Sequence, residues 1–135
     1  MKYMLMMHVP AGKADYEIVR EWTPEAFKAH IDFMHRLNRE LTEAGELVGA
    51  EGLAMPGEAK LVRAGKNGMP VTDGPFPESK EFLAGYWIVE VDRPERAYEI
   101  AAKASAAPGP TGDPLNMPIE VRQVMSAPAT DYRDV

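Results

Sequence analysis

Residues 82–91 read FLAGYWIVEV, and their aromatic and β-branched side chains give this run the strongest β-strand signal in the chain. Asp92 follows as a predicted helix cap, with Pro94 in the first turn. Four apolar side chains, three of them alanine, then recur at helical spacing: Ala97, Ile100, Ala101 and Ala104. Because this stripe is mostly small, the run predicts a strand followed by a helix that packs closely on the same sheet.

The amino-terminal part of the chain repeats the order of strand and helix. Lys2–Val9 is largely apolar on both alternating faces, which indicates a central strand covered on both sides. After a polar loop over residues 11–22, Thr23-Pro24-Glu25 predicts a helix start, because Thr caps and Pro suits the first helical position. One apolar stripe continues to about Ala44, and Gly45 ends the helix.

Four shorter strands complete the predicted order. They cover residues 46–54, 59–64, 69–72 and 119–125, and Asn67-Gly68 predicts a hairpin turn between the second and third of them. Without this extra hairpin arm the order is βαββαβ, the ferredoxin-like α+β plan. Two helices on one face leave the other face of the sheet open. Its apolar side chains favour a homodimer that pairs sheet on sheet, with a loop over 11–22 or 105–118 as the alternative cover.

The composition is that of a single globular domain. Of 135 residues, 45% are hydrophobic and 27% are charged, so we expect one domain over 1–125 and a flexible polar tail over 126–135. The absence of cysteine excludes disulfides and thiolate metal sites. The net charge of −6 and the lack of a long apolar run argue against nucleic-acid and membrane partners and predict a cytoplasmic protein. No phosphate-loop or dinucleotide motif occurs, and we predict no cofactor and no bound metal.

Of the three histidines, His30 and His8 are candidates for a functional role, and His35 is expected to be a solvated surface residue. His30 falls within the apolar stripe of the first helix, where it is either a hydrogen-bonded core residue or an acid–base group that lines a pocket. His35 lies five residues later near the polar face, so the two rings cannot share a metal ion on one helix. His8 ends the first strand, at a rim where loops and ligands meet.

The densest group of functional side chains lies in Asp73–Glu81, DGPFPESKE. Asp-Gly-Pro predicts a rigid turn, because Asp bonds the backbone ahead, Gly permits positive φ and Pro restricts φ. The flanking prolines hold Phe76, and Glu78, Lys80 and Glu81 add three charges. Such a loop is either a preorganised ligand site or a stiff, solvated connector.

Five segments carry a resemblance to a known family: Met1–Met6, Leu41–Leu53, Val71–Glu81 (VTDGPFPESKE), Leu83–Tyr86 and Ile119–Val124. Together they are similar to YCII-related proteins of the DGPF-domain type, over about residues 1–125. The resemblance implies a ferredoxin-like fold and a dimer joined through its sheets as a dimeric α/β barrel. Many DGPF-type members are associated with extracytoplasmic-function sigma factors, which implies a role near transcription.

The resemblance extends to some of the family's site residues. The segment Val71–Glu81 matches the family's signature motif. The residues of this chain that match it directly are Asp73, Gly74, Pro75, Phe76, Glu78, Lys80 and Glu81. In the YCII branch a His and an Asp face a pocket, and the position often held by that His is Met34 here. His30 lies one turn earlier on the same face, so either it places an imidazole in the same pocket or this member lacks the dyad.

Two functions follow as open alternatives. In the first, the protein is a small-molecule enzyme in which His30 moves a proton and Asp73 orients or polarises. Its ligand would lie between sheet and helix, against Phe76 or Trp87. The other predicted binding residues are His8, Glu78, Lys80 and Glu81. In the second, it is a non-catalytic dimeric module that binds a metabolite or a sigma-factor-like protein.

Overall fold

A four-stranded antiparallel sheet carries two helices on one of its faces. The computed structural model describes residues 1–10, 22–74 and 81–125. Its elements in chain order are β1 (Lys2–Pro10), α1 (Pro24–Glu43), β2 (Leu47–Gly52), β3 (Leu61–Ala64), β4 (Pro70–Asp73), β5 (Glu81–Glu90), α2 (Pro94–Ser105) and β6 (Ile119–Gln123). The strands lie side by side in the order β2-β5-β1-β6, while β3 and β4 form a separate two-stranded sheet. The predicted ferredoxin-like α+β fold with an extra hairpin is thereby confirmed.

Two predicted segments lie outside the described residues. They are the polar loop over 11–22, except Trp22, and the tail over 126–135.

The hydrophobic core fills the space between the helices and one face of the sheet. Alternate residues of the two central strands point into it, and α1 adds two leucines. These buried side chains are Tyr3, Leu5, Leu37, Leu41, Trp87 and Val89. All four residues of the predicted alanine-rich stripe on α2 are buried as well. The small side chains allow this helix to pack closely on the sheet, as the sequence predicts.

Local sequence signals explain both ends of α1 and the start of α2, although the residue before α2 is not the one predicted. Thr23 caps α1, where its hydroxyl accepts a hydrogen bond from the Ala26 N–H at 3.1 Å, and Gly45 follows the helix with φ of +72°. The prediction that Asp92 caps α2 is wrong, because Arg93 occupies that position without a side-chain bond. Pro94 is the reason, since a proline at the first helical position restricts the preceding residue to extended backbone.

The β3–β4 hairpin has local backbone features that agree with its sequence. The predicted Asn67-Gly68 turn is present, with positive φ at both residues. Every residue of β3 and β4 is exposed. Gly74 follows with φ of +145°, and a Cβ there would lie 2.6 Å from the Ala59 carbonyl oxygen. The signature glycine is therefore required by both its backbone angle and a close backbone contact.

The second face of the sheet lacks a helix among the described residues. Its four central apolar side chains are half-buried in a single chain: Met4, Met6, Tyr86 and Ile88. Glu120 and Arg122 of β6 lie beside them in register with Met6 and Met4. The loop between α2 and β6 lies on the helix-covered side, where it contacts α1 through Pro108. This loop therefore does not act as the alternative cover for the open face.

Candidate functional site

An apolar cavity of about 550 Å³ lies at one end of the helical layer. It forms where the carboxyl end of β1, the start of β5 and the first turns of α1 meet the loop before β6. Its wall includes Met7, Val9, Trp22, Phe27, His30, Leu53, Met55, Phe82, Ala84, Pro110, Leu115 and Met117. Among the described residues of the wall, only His30 carries an ionisable side chain. This cavity is of a size suited to small organic ligands.

The orientation of His30 determines which of its nitrogens a ligand can use. Nδ1 lies 3.0 Å from the carbonyl oxygen of Pro108. Because a carbonyl oxygen can only accept, Nδ1 carries the hydrogen and donates it. In the neutral ring Nε2 then holds a lone pair, and no described residue forms a hydrogen bond with it. His30 thus offers a hydrogen-bond acceptor, or base, at the wall of an apolar cavity.

Trp22 is a cavity residue to which the sequence analysis assigned no role. Its ring lies edge-on to His30, with centroids 5.2 Å apart and an interplanar angle of 78°. The Trp22 ring makes a second edge-on contact with the ring of Phe27, and the two ring centroids are 6.1 Å apart. The indole Nε1 is shielded from solvent, and no acceptor among the described residues partners it. A sequence signal for this placement exists, because Trp22 precedes the Thr23 cap and Phe27 is the fourth helical residue, the spacing of a hydrophobic staple.

Asp73 lies on the hairpin and does not contribute to the described wall of the cavity. It ends β4, and its carboxylate lies 3.8 Å from Nη1 of Arg63 on the neighbouring strand. The Asp73 side chain is 64% exposed, so this ion pair is a weak surface contact. The described structure places His30 in the cavity and Asp73 on an exposed hairpin.

The remaining predicted binding residues occupy three different environments. On the open sheet face, His8 Nε2 lies 3.0 Å from Oε1 of Glu120. Trp87 is a core residue at 6% exposure, and its indole donates to Oδ1 of Asn38 at 2.8 Å. Glu81 is exposed at the start of β5. The other three, Phe76, Glu78 and Lys80, lie outside the described residues.

A bidentate ion pair away from the cavity joins α2 to the residue before β2. Arg96 donates from Nε and Nη2 to the two carboxylate oxygens of Glu46, each at 2.8 Å. This bidentate contact lowers the pKa of Glu46, and together with Glu99 it raises the pKa of Arg96. Its role is to hold the helix against the sheet edge.

The described residues provide neither a metal cluster nor a membrane-spanning helix. In residues 1–10, 22–74 and 81–125, no cluster of three or more His, Asp or Glu side chains could hold a metal ion. Neither described helix is long and apolar enough to cross a membrane.

Comparison with known proteins places most of the chain in one sequence family. The model of the YCII-related domain matches residues 1–109. The uncharacterized protein R00369 of Rhizobium meliloti (strain 1021) is 28% identical over 98 residues, which are 73% of this chain and 79% of that protein. The range matched by the family model includes His30, the hairpin with Asp73, and the Pro108 carbonyl that orients His30.

Proposed function

Since the chain belongs to the YCII-related family, we propose that it is a small-molecule enzyme that binds a largely apolar substrate in the His30 cavity. In this proposal His30 Nε2 accepts a proton from the substrate and later returns it. The observation that carries it is the hydrogen bond from His30 Nδ1 to the Pro108 carbonyl, which directs the lone pair to Nε2. Few other polar groups line the cavity, so a bound substrate would displace water from around the base.

Pro108 takes over the orienting role that the sequence analysis gave to Asp73. A backbone carbonyl bonded to Nδ1 sets the tautomer and the ring orientation as a carboxylate would, but without a negative charge. Asp73 has no role in the proposed proton transfer, because its carboxylate is exposed and faces Arg63.

Isotope exchange tests the proton transfer without knowledge of the complete reaction. The probe is 2-tetralone, an apolar ketone with acidic α C–H bonds, and the measurement is the loss of its α-proton NMR signal in D₂O. We expect the wild-type protein to exchange these protons faster than buffer alone. The control variant His35→Phe should do the same, because His35 is an exposed histidine on the same helix. His30→Phe should reduce exchange to the buffer rate while it keeps a ring of similar size.

A second pair of variants tests whether the reaction takes place in the cavity. Ala84 lines the cavity, so Ala84→Phe should fill part of it and abolish both binding and exchange. Ala29 lies exposed on α1, and Ala29→Phe is the matched control that should leave both intact. Exchange that persists in His30→Phe, or in Ala84→Phe, would overturn the proposal.

The second candidate function is a non-catalytic dimeric ligand-binding module. It is favoured by the position of Asp73, since the described wall of the cavity offers His30 no carboxylate partner. Binding of 2-tetralone that is sensitive to Ala84→Phe, together with exchange at the buffer rate, would select this candidate over the enzyme.

Both candidates include a homodimer formed through the open sheet faces. Four apolar side chains, Met4, Met6, Tyr86 and Ile88, lie together on a face that the described helices leave uncovered. Burial of such a surface against a second copy is favourable by about 25 cal/mol for each Å² of apolar area. In the second candidate, a basic surface of a sigma-factor-like protein would contact this acidic dimer. A wild-type protein that stays monomeric in solution would contradict the dimer in both candidates.

A further inference from the structure

A second, smaller cavity adjoins the His30 cavity. It has a volume of about 340 Å³ and is lined by residues that follow β2 and by the start of β5. Three side chains line both cavities: Leu53, Met55 and Phe82. These shared side chains form the boundary between the two cavities.

Two of the three boundary side chains are free to move aside. Leu53 is 46% exposed and Met55 is 43% exposed, so neither is enclosed by close packing on all sides. Met55 is also unbranched, with three rotatable bonds, and adapts its shape at low cost. Phe82 is half-buried and pairs with Val9 of β1, so it is the more fixed member. A ligand in the first cavity can therefore reach the second one past Leu53 and Met55.

The wall of the second cavity suits a hydrocarbon chain. Among its described residues only Glu58 is ionisable, and the Glu58 side chain is exposed. The other described residues of the wall, among them Ala54, Pro56 and Leu83, are apolar. A hydrocarbon chain that enters such a space leaves water without losing a hydrogen bond, which is favourable in proportion to the area buried.

Exposed apolar side chains at the wall of the first cavity give a second reason for an extended ligand. Phe27 lines that cavity and is 55% exposed, and Leu53 and Met55 are exposed to a similar extent. Covering large apolar side chains that stand in water is favourable. A long ligand covers more of this surface than a compact one.

We propose that the substrate of this site is elongated, with its reacting group beside His30 and a hydrocarbon chain that passes Leu53 and Met55 into the second cavity. This inference rests on the proposed function and adds to it the shape of the substrate and a second subsite. Leu53 and Met55 then select for ligands with such a chain, because they lie at the passage between the two cavities.

Two ligands with the same reacting group test this inference. They are 2-tetralone and 6-hexyl-2-tetralone, which differ only in the hydrocarbon chain. Each CH₂ group that leaves water strengthens binding about fourfold. We expect the wild-type protein to bind the hexyl compound about 60-fold more tightly in equilibrium dialysis, the gain for three buried CH₂ groups.

Variants of the second cavity show where the chain binds. Ala54 and Ala59 are exposed and line the second cavity but not the described wall of the first. Ala54→Phe should fill the second cavity and remove most of the gain from the hexyl chain, and Ala59→Phe should do so independently. Both variants should bind 2-tetralone as the wild-type protein does, which reports that the fold and the first cavity are intact. Ala29→Phe on α1 is the matched control and should retain the gain.

Met55→Ala tests the passage itself. Removal of this side chain opens the boundary between the two cavities, so the preference for the hexyl compound should be kept or increased. A preference that disappears in Met55→Ala, with 2-tetralone still bound, would contradict a chain that passes this residue.

The outcomes separate this inference from the proposed function. If Ala54→Phe and Ala59→Phe keep the full gain from the hexyl chain, or if the wild-type protein shows no gain, the second subsite is wrong. The proposed function then still stands if His30→Phe abolishes the exchange of 2-tetralone. If the gain depends on Ala54 but neither compound exchanges faster than in buffer, the proton transfer is wrong and the elongated ligand site remains. If neither compound binds, both proposals fail.

Discussion

Met6 lies at the middle of the open sheet face, and its replacement by lysine tests whether two copies of the chain meet there. It belongs to a central strand and is in register with Tyr86 on one side and Glu120 on the other. In a single chain, Met6→Lys would place an ammonium group beside the Glu120 carboxylate, at a half-exposed position. We therefore expect the isolated subunit to tolerate the change, since cross-strand pairs of opposite charge are favourable.

The same substitution is costly in a dimer that buries this face. Symmetry places one lysine from each copy in the interface, and we take about 3 kcal/mol per ammonium group for the cost that remains after relaxation. The total of about 6 kcal/mol raises the dissociation constant about 10⁴-fold, at one decade for each 1.4 kcal/mol. A nanomolar dimer would become a dimer of about 10 µM by this calculation.

Sedimentation velocity at low micromolar concentration measures this change directly. We expect the wild-type protein to sediment as a dimer and Met6→Lys as a monomer with unchanged circular dichroism. Met125→Lys is the matched control, because Met125 is 94% exposed and lies outside the sheet. A Met6→Lys variant that sediments like the wild-type dimer would refute burial of this face, and a wild-type monomer would refute the dimer itself.

Three other predictions concern the described fold. The pKa of Glu46 is lowered in the folded state by Arg96, so this pair stabilises the protein above the ordinary carboxyl pKa and loses its effect as the pH falls through the lowered value. Glu46→Gln should cost about 1–2 kcal/mol at pH 7 and almost nothing at strongly acidic pH, as measured by urea unfolding at each pH. Gly74→Ala should strain the hairpin by about 1–3 kcal/mol, visible as faster amide hydrogen exchange in β3 and β4 with little change in global stability. Asn38→Leu should leave the indole of Trp87 without its acceptor and cost about 1–3 kcal/mol in urea unfolding. Because Trp87→Phe itself opens space in the core, the loss in the double variant should be smaller than the sum of the two single losses.

Elements whose causes lie within a few residues could be predicted from the sequence. The start of α1 at Thr23-Pro24 and the Asn67-Gly68 turn depend on local backbone preferences, and both are present. The alanine-rich stripe of α2 was predicted for the same reason, because helical spacing alone identifies the buried face. The predicted cap at Asp92 is wrong for an equally local reason, because Pro94 restricts the backbone of the residue directly before it, Arg93.

The candidate site was predictable only in part. His30 was identified as an inward-facing histidine, but its partner is the backbone carbonyl of Pro108, 78 residues later, and no sequence pattern marks a carbonyl. Trp22 became a cavity residue through its contacts with His30 and Phe27. Asp73 was singled out by its rigid turn, which is a local property and contains no information on what the hairpin contacts.

The order of strands and helices, the helix ends, the hairpin turn and the inward direction of His30 are thus properties of the amino-acid sequence alone. They follow from backbone preferences and from the periods of helix and strand, which act over a few residues. The cavity, the tautomer of His30, its proximity to Trp22 and the separate location of Asp73 were decided by tertiary structure. The physical reason is that each depends on the packing of segments far apart in the chain, such as Val9, Phe82 and Leu115 around one space. Such packing is set by the shape and volume of all the side chains together.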